Sequence, residues 1–468
     1  MRLKPLLPLL AVMTVLSVLS AGCVGKPAET STGQNADVKQ FSLTISSNAI
    51  AGGKNANIAK WTEEYVIPKF VEAQKAKGVT ATVKFEGNGA DDKDYKTKVA
   101  LDLKTGGGAD IQEIDGIWLG EFAQAGQARP LADLVGKDKV DTWEGWSKIP
   151  QAVAALADFD GRRYGIPVGT DGRVLYFNKK LFAQEGLPAD WQPRSWDDVL
   201  SAGEKLKAVP GIVPIQLNAG TAMTEAASMQ GVLPVLVGTG KPIYDSGKWQ
   251  GATQNIKDTL GLYQKIYSGR LGDPLLQQEA KGRDKSFSQF ADSRIGILLE
   301  SDYFWRAVIN PANGVAKMAD RDTAVGWAKI PARQPGAGVG GQDFVSMSGG
   351  SVRVINPNTK FPQQAWELLQ FMNSFDATKA RVSSTPQVTT RTDVNDEVLK
   401  ADPMLTYVSK EVLPITRYRP GLAEYTQVSA ALQQATLDVV TGKSPDEAAA
   451  AYQQAVVKAV GEANVATG

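Results

Sequence analysis

Polar and aromatic side chains fall just past the ends of strand-like segments. Ser47-Asn48 closes FSLTISS, Asn88 follows TATVKFE, and Asp115 ends DIQEID with Trp118 three residues on. Further along, Asp171 and Arg173 stand two apart, Tyr303 and Trp305 follow RIGILLES, and Arg419 precedes Pro420. A carboxylate's two oxygens or a guanidinium's fork match vicinal hydroxyls through charge-assisted bonds, while an aromatic face packs against the C–H side of a sugar ring. Two carboxylates could also serve as an acid/base pair, so a carboxylate-dependent glycosidase or lyase using Asp115 and Asp171 is an alternative.

Other chemistries are closed by composition. The 468 residues include no histidine and one cysteine, which removes Ser-His and Cys-His nucleophile pairs and histidine-containing zinc sets. No GxSxG elbow, SxxK or GxxxxGK[ST] loop is present. The glycines at 106–108 resemble a phosphate cradle, but a strand follows where a helix should begin. Asp91, Asp92 and Asp94 lack the glycine and distal glutamate of a calcium loop. No cofactor or metal is expected. Charges nearly cancel, with 51 basic and 50 acidic residues, and no basic face marks a nucleic-acid partner.

The single cysteine, Cys23, ends an apolar run. Arg2 and Lys4, the run Leu6 to Leu19 and the small residues Ser20-Ala21-Gly22 have the layout of a signal peptide over 1–22. Leu19-Ser20-Ala21-Gly22-Cys23 resembles the bacterial lipobox, and that resemblance implies lipidation of Cys23. Polar residues up to 39 then read as a flexible tether over 23–39.

The elements that must position these residues follow in a repeating order. Phe41–Ser47, Thr80–Glu86 and Asp110–Asp115 read as strands, separated by helical patterns over Ile58–Lys77 and Tyr95–Lys104. Such β-α-β-α-β order implies a parallel sheet with right-handed crossovers, and open sheets bind ligands beyond the carboxyl ends of their strands. A second α/β unit reads from strands at Tyr164–Pro167, Val174–Asn178, Pro214–Asn218 and Arg294–Glu300, with a helix over 195–207 capped by Ser195. From Phe361 onward the pattern is helical, which argues against a TIM barrel.

The segments GRRYGIPVGTDGRVLYFNKKLFAQEGL, SWDDVLSAGEKL, RIGILLESDYFW, SMSGGSVRVINPN, AWELLQFMNS and VVTGKSPDEAAAAYQQAV occur in that order. Their order resembles extracellular solute-binding proteins of the maltose and oligosaccharide type, the capture receptors of ABC importers. The resemblance implies an α/β fold of two lobes, the type II periplasmic-binding-protein architecture, with ligand in the interlobe cleft and a helical C-terminal region. It implies lobe one at 38–165 plus 326–355 and lobe two at 166–325 plus 356–468. Carried onto this sequence, the ligand-binding residues would include Asp115, Asp171, Gly349, Arg419 and an aromatic platform at Tyr303 or Trp305. Asn48, Asn88, Trp118 and Arg173 join them from the strand-end reading.

The implied protein is a monomer that is not an enzyme. It would capture a carbohydrate by lobe closure and hand it to transmembrane permease subunits. It would be exported and lipid-anchored on the outer face of the cytoplasmic membrane, or periplasmic in a Gram-negative envelope. A glycerophosphodiester is the alternative solute, with Arg173, Arg417 and Arg419 serving its phosphate.

Overall fold

The computed structural model describes residues 33–53 and 55–467. The expected signal peptide and Cys23 lie outside the described residues, as does most of the expected tether. The last part of the tether is docked: Asn35 donates to the Lys360 carbonyl at 2.8 Å, and Gln364 donates to the Asn35 carbonyl at 2.8 Å. The last residues of the expected tether, Asn35 and Ala36 among them, are therefore bonded to the body.

Eleven strands frame the cleft: β1 (Gln40–Ser47), β2 (Thr80–Gly87), β3 (Ile111–Asp115), β4 (Gly165–Pro167), β5 (Arg173–Asn178), β6 (Val213–Gln216), β7 (Ile295–Ser301), β8 (Val325–Ala328), β9 (Phe344–Ser348), β10 (Ser351–Ile355) and β11 (Thr416–Tyr418). Lobe one is built on the sheet β2-β1-β3-β10-β4, in which β1 runs parallel to β2 and β3 as the sequence order predicts. Only β10 reverses, antiparallel to both of its neighbours β3 and β4. Lobe two is built on β8-β5-β7-β6, where β7 is parallel to β6 and antiparallel to β5.

Local sequence explains most element boundaries. The expected helix over 58–77 forms as Ala56–Trp61 and Ile67–Ala76, joined by a wide turn at Thr62–Val66. Pro68 sits just after that turn, and its ring could not follow a regular helix without meeting the carbonyl four residues earlier. Ser195 caps Trp196–Leu206 by accepting from the Asp198 N–H at 3.2 Å.

Phe41, Leu43 and Ile45 point to one face of sheet one and pack on Trp61 and Phe70. Tyr95, Val99, Ile114, Trp118 and Phe122 cover the other face. Leu175, Phe177, Ile297 and Leu299 of sheet two share one core with residues of the C-terminal helices Tyr425–Val440 and Pro445–Val460.

The lobe boundaries differ from expectation in two places. Val325–Ala328 pairs with β5 and belongs to lobe two, whereas 326–355 was expected wholly in lobe one. Helices Pro362–Met372 and Phe375–Val382, expected in lobe two, pack on lobe one: Phe371 lies 5.7 Å from Phe70, and Trp61 donates to the Ala377 carbonyl at 2.8 Å. Periodicity reports that a helix is amphipathic; its covering sheet is decided by long-range contacts.

Two crossings join the lobes. Val168–Gly172 leads from β4 to β5, and Gly349-Gly350 leads from β9 back to β10. The crossings lie against each other, with the Val168 N–H bonded to the Ser351 carbonyl at 2.9 Å. A Cβ on Gly350 would stand 2.0 Å from the Gly169 oxygen, so only glycine fits there. A third segment, β11, lies parallel beside β9.

Candidate functional site

The carboxyl ends of β1 and β3 open on a cavity of about 100 Å³ lined by Ser47, Asn48, Tyr95, Asp115, Trp118 and Ser351, among others. Asn48 donates to Asp92 at 3.1 Å. Ser47 Oγ and Asn48 Oδ1 are buried there with no hydrogen-bond partner among the described residues. An unmatched buried polar atom costs about 1–3 kcal/mol, a cost that a polar guest would offset at both. Trp118 is buried against Tyr95 and Phe122. Asn88 is not among the lining residues; its side chain closes a local turn on the Ala90 N–H at 2.7 Å.

Asp115 caps the short turn after β3 by accepting from the Ile117 N–H at 3.1 Å. Arg419, carried on the segment after β11, brings Nη2 to 3.9 Å from the Asp115 carboxylate. Burial pushes the Asp115 carboxyl above its ordinary range, with Arg419 pulling the other way. Behind Arg419 stands Glu225, which accepts from Nη1 at 3.0 Å. Arg419 thus lies between a carboxylate of each lobe.

The hinge holds the next group. Asp171 Oδ1 accepts from Arg173 Nη1 at 2.5 Å and from the Gly349 N–H at 2.7 Å. Arg173 is buried and also donates to the Met347 carbonyl at 3.1 Å. Asp171, Arg173 and Gly349 therefore converge in the hinge and are bonded to one another. A Cβ at Gly349 would lie 3.8 Å from Asp171 Oδ1 and 3.9 Å from Arg419 Nη2, which places this crossing directly under the Asp115–Arg419 gap.

The two aromatic candidates separate. Trp305 is 2% exposed, donates to Asp402 at 3.0 Å and carries the Arg321 guanidinium over its ring at 3.8 Å, all within the core of lobe two. Tyr303 is 38% exposed. It follows Asp302, whose N–H bonds the Gly172 carbonyl at 3.0 Å and so ties the end of β7 to the hinge. Underneath, Arg283 spans both oxygens of the fully buried Glu300 at 2.6 and 2.9 Å. Burial raises the Asp302 carboxyl, opposed by Arg306.

Sequence reasoning missed Glu225 and the Arg283–Glu300 pair. Glu225 had a usable signal, since it follows the expected strand 214–218 and the strand-end rule applies to it equally. Arg283 had none, because its role depends on a strand 17 residues away. Among the described residues no group of three or more metal-ligating side chains occurs, and no helix is long and apolar enough to cross a membrane.

Comparison with known proteins adds independent findings. The profile of the bacterial extracellular solute-binding protein family matches residues 55–379. A Brucella abortus (strain 2308) chain designated a binding protein is 24% identical over 443 residues, covering 89% of this chain and 96% of that one. The sn-glycerol-3-phosphate-binding periplasmic protein UgpB of Rhizobium meliloti (strain 1021) is 30% identical over 86 residues, 18% of this chain and 20% of that one. The sugar-binding protein MalE of Xanthomonas citri has a similar structure, with a TM-score of 0.70 over 89% of this chain and 97% of that one at 16% identity.

Proposed function

Because the chain belongs to the bacterial extracellular solute-binding proteins, we propose that it is the capture receptor of an ABC importer whose solute is an uncharged oligosaccharide held between the lobes. The observation that carries this reading is the meeting of Asp115 from lobe one with Arg419 and Glu225 from lobe two, above the hinge and beside unpartnered Ser47 Oγ and Asn48 Oδ1. Hydroxyl groups can accept from and donate to such a set without adding charge. Tyr303 supplies the exposed ring for stacking.

A glycerophosphodiester is the second reading, favoured by the UgpB match over 86 residues. The arginines weigh against it. Arg173 is held by Asp171, Arg283 by Glu300, Arg306 by Asp302 and Arg419 by Glu225. Arg417 bonds the Thr416 carbonyl at 3.1 Å and approaches Gly340. At Arg173, Arg283, Arg306 and Arg419 a phosphate would thus have to displace a carboxylate, and of the three arginines named for it only Arg417 carries none among the described residues. The hydrolase alternative is likewise disfavoured, since Asp171 already accepts two hinge donors.

Closure would be a population shift about the hinge, limited by how much better the closed form holds the solute. A thermal-shift panel of neutral di- and trisaccharides and of glycerophosphodiesters, followed by calorimetry, tests the class. A ligand at 100 times its Kd adds about 2.7 kcal/mol of stability. Stabilisation by neutral sugars alone is the expected result, and a response confined to phosphodiesters would overturn it.

The anchoring part of the proposal rests on Cys23 and its flanks. Labelled fatty acid should be incorporated into the wild-type protein and not into Cys23→Ala. Equal labelling of both would remove the anchor.

A further inference from the structure

Glu225 is held more firmly than a residue that touches a solute would need to be. Its Oε2 accepts from Arg419 at 3.0 Å and from the Tyr425 hydroxyl at 2.8 Å. Its Oε1 accepts from Ser429 at 2.6 Å and from Gln433 at 3.4 Å. Three of those four donors lie on one face of the helix Tyr425–Val440, at i, i+4 and i+8. Ser228 ties the far side, 2.7 Å from Ser429 and 2.8 Å from Gln433. A carboxylate so fully satisfied has little capacity left for a ligand.

The backbone before it is strained. Thr224, a β-branched residue, has φ 49° and ψ −130°, a conformation that persists only where its surroundings impose it. Turn bonds hold it, with the Thr224 N–H on the Thr221 carbonyl at 3.1 Å and the Ala227 N–H on the Thr224 carbonyl at 3.0 Å, and the four bonds to Glu225 lock the carboxylate that follows. Their net effect is to fix one guanidinium, because Arg419 has Nη1 clamped by Glu225 and Nη2 aimed at the opposite lobe.

The aimed contact is incomplete. At 3.9 Å, Arg419 and Asp115 are about an ångström beyond a charge-assisted hydrogen bond. Arg419 Nε is buried without a partner among the described residues. A small approach of the lobes would close the Asp115 gap, and Glu225 holds Nη1 while Nη2 faces it.

We propose that Glu225 is a positioning residue, and that Arg419 and Asp115 form an interlobe latch which tightens as the lobes close. The inference rests on the capture-by-closure reading. It adds that part of the closing free energy comes from the protein's own ion pair and is present before solute arrives. A pair of this kind, partly exposed, contributes on the order of tenfold in an equilibrium constant.

The test is a double-mutant cycle on the full body, read in two ways. Small-angle scattering of the ligand-free protein reports the lobe arrangement whatever the solute proves to be. Asp115→Asn and Glu225→Gln should each raise the radius of gyration, and the double variant should match the single ones. Calorimetry with a stabilising neutral oligosaccharide should show each variant about tenfold weaker, with the double variant also about tenfold weaker. Independent losses multiplying to about a hundredfold would overturn the latch while leaving the receptor reading intact. Tyr425→Phe, which removes one donor from Glu225 and leaves the guanidinium untouched, guards against misfolding of Glu225→Gln. A few-fold weakening is expected from it, and unchanged affinity and scattering would count against positioning. If no neutral sugar binds the wild type, the receptor reading fails, and the latch still stands or falls on the ligand-free scattering.

Discussion

The two sides of the cleft differ in how their polar groups are satisfied. Lobe one presents Ser47 Oγ and Asn48 Oδ1 to a cavity with no partner among the described residues. In lobe two and the hinge the carboxylates are already occupied: Asp171 by two donors, Glu225 by four, and Glu300 by Arg283. One side leaves acceptors open, and on the other the carboxylates are engaged with the protein's own donors. A mutation in lobe one should therefore cost affinity with little cost in stability, and a mutation in the saturated network should do the reverse or both.

The largest effect is expected where saturation is deepest. Arg283→Ala leaves Glu300 charged, fully buried and unpaired, and should cost about 3–5 kcal/mol in denaturant unfolding. A loss below about 1 kcal/mol would mean that water reaches Glu300 and that lobe two is less tightly ordered than described. Ser47→Ala should invert the pattern. Removing an unpartnered hydroxyl leaves unfolding unchanged or slightly favours the fold, while calorimetry should show affinity down by about 1 kcal/mol.

The aromatic pair sharpens the contrast further. Tyr303→Ala should weaken a sugar by about 1 kcal/mol through lost stacking. Trp305→Phe should leave affinity alone and cost about 1 kcal/mol of stability through the lost bond to Asp402. Reversed outcomes would move the platform to Trp305.

Asp115 gives the smallest and most specific signal. Its folded pKa is raised, so the folded protein holds this proton more readily than the unfolded chain does. The resulting cost is absent at low pH, appears as pH rises through the unfolded carboxylate range, and is complete above the folded value. Asp115→Asn should therefore raise the melting temperature at pH 7 and not at pH 3. The gain should be under about 1 kcal/mol, because 39% of the side chain meets solvent. With no histidine in the chain, wild-type affinity should stay nearly flat from about pH 6 to 8.

The same contrast accounts for what could be read from the sequence. The strands β1 to β3, their parallel direction and the polar ends at Asn48 and Asp115 follow from alternation and chain order, because the helix between two successive strands makes their crossover. The capping of the 195–207 helix by Ser195 is equally local. In lobe two Arg419 and Glu225 meet from far apart in the chain, and no local pattern says that Arg419 reaches Glu225 or that Trp305 turns into the core. The same limit explains why Val325–Ala328 and the helices at 362–382 were expected in the wrong lobes. Their periodicity was read correctly, but their partners lie more than a hundred residues away.

The central claim is that an uncharged oligosaccharide is captured between the lobes by closure over the Asp115–Arg419 gap. Its most direct test is small-angle scattering of the body with and without a saturating neutral oligosaccharide that stabilises it. The account predicts a smaller radius of gyration on binding. An unchanged radius at saturation would contradict it.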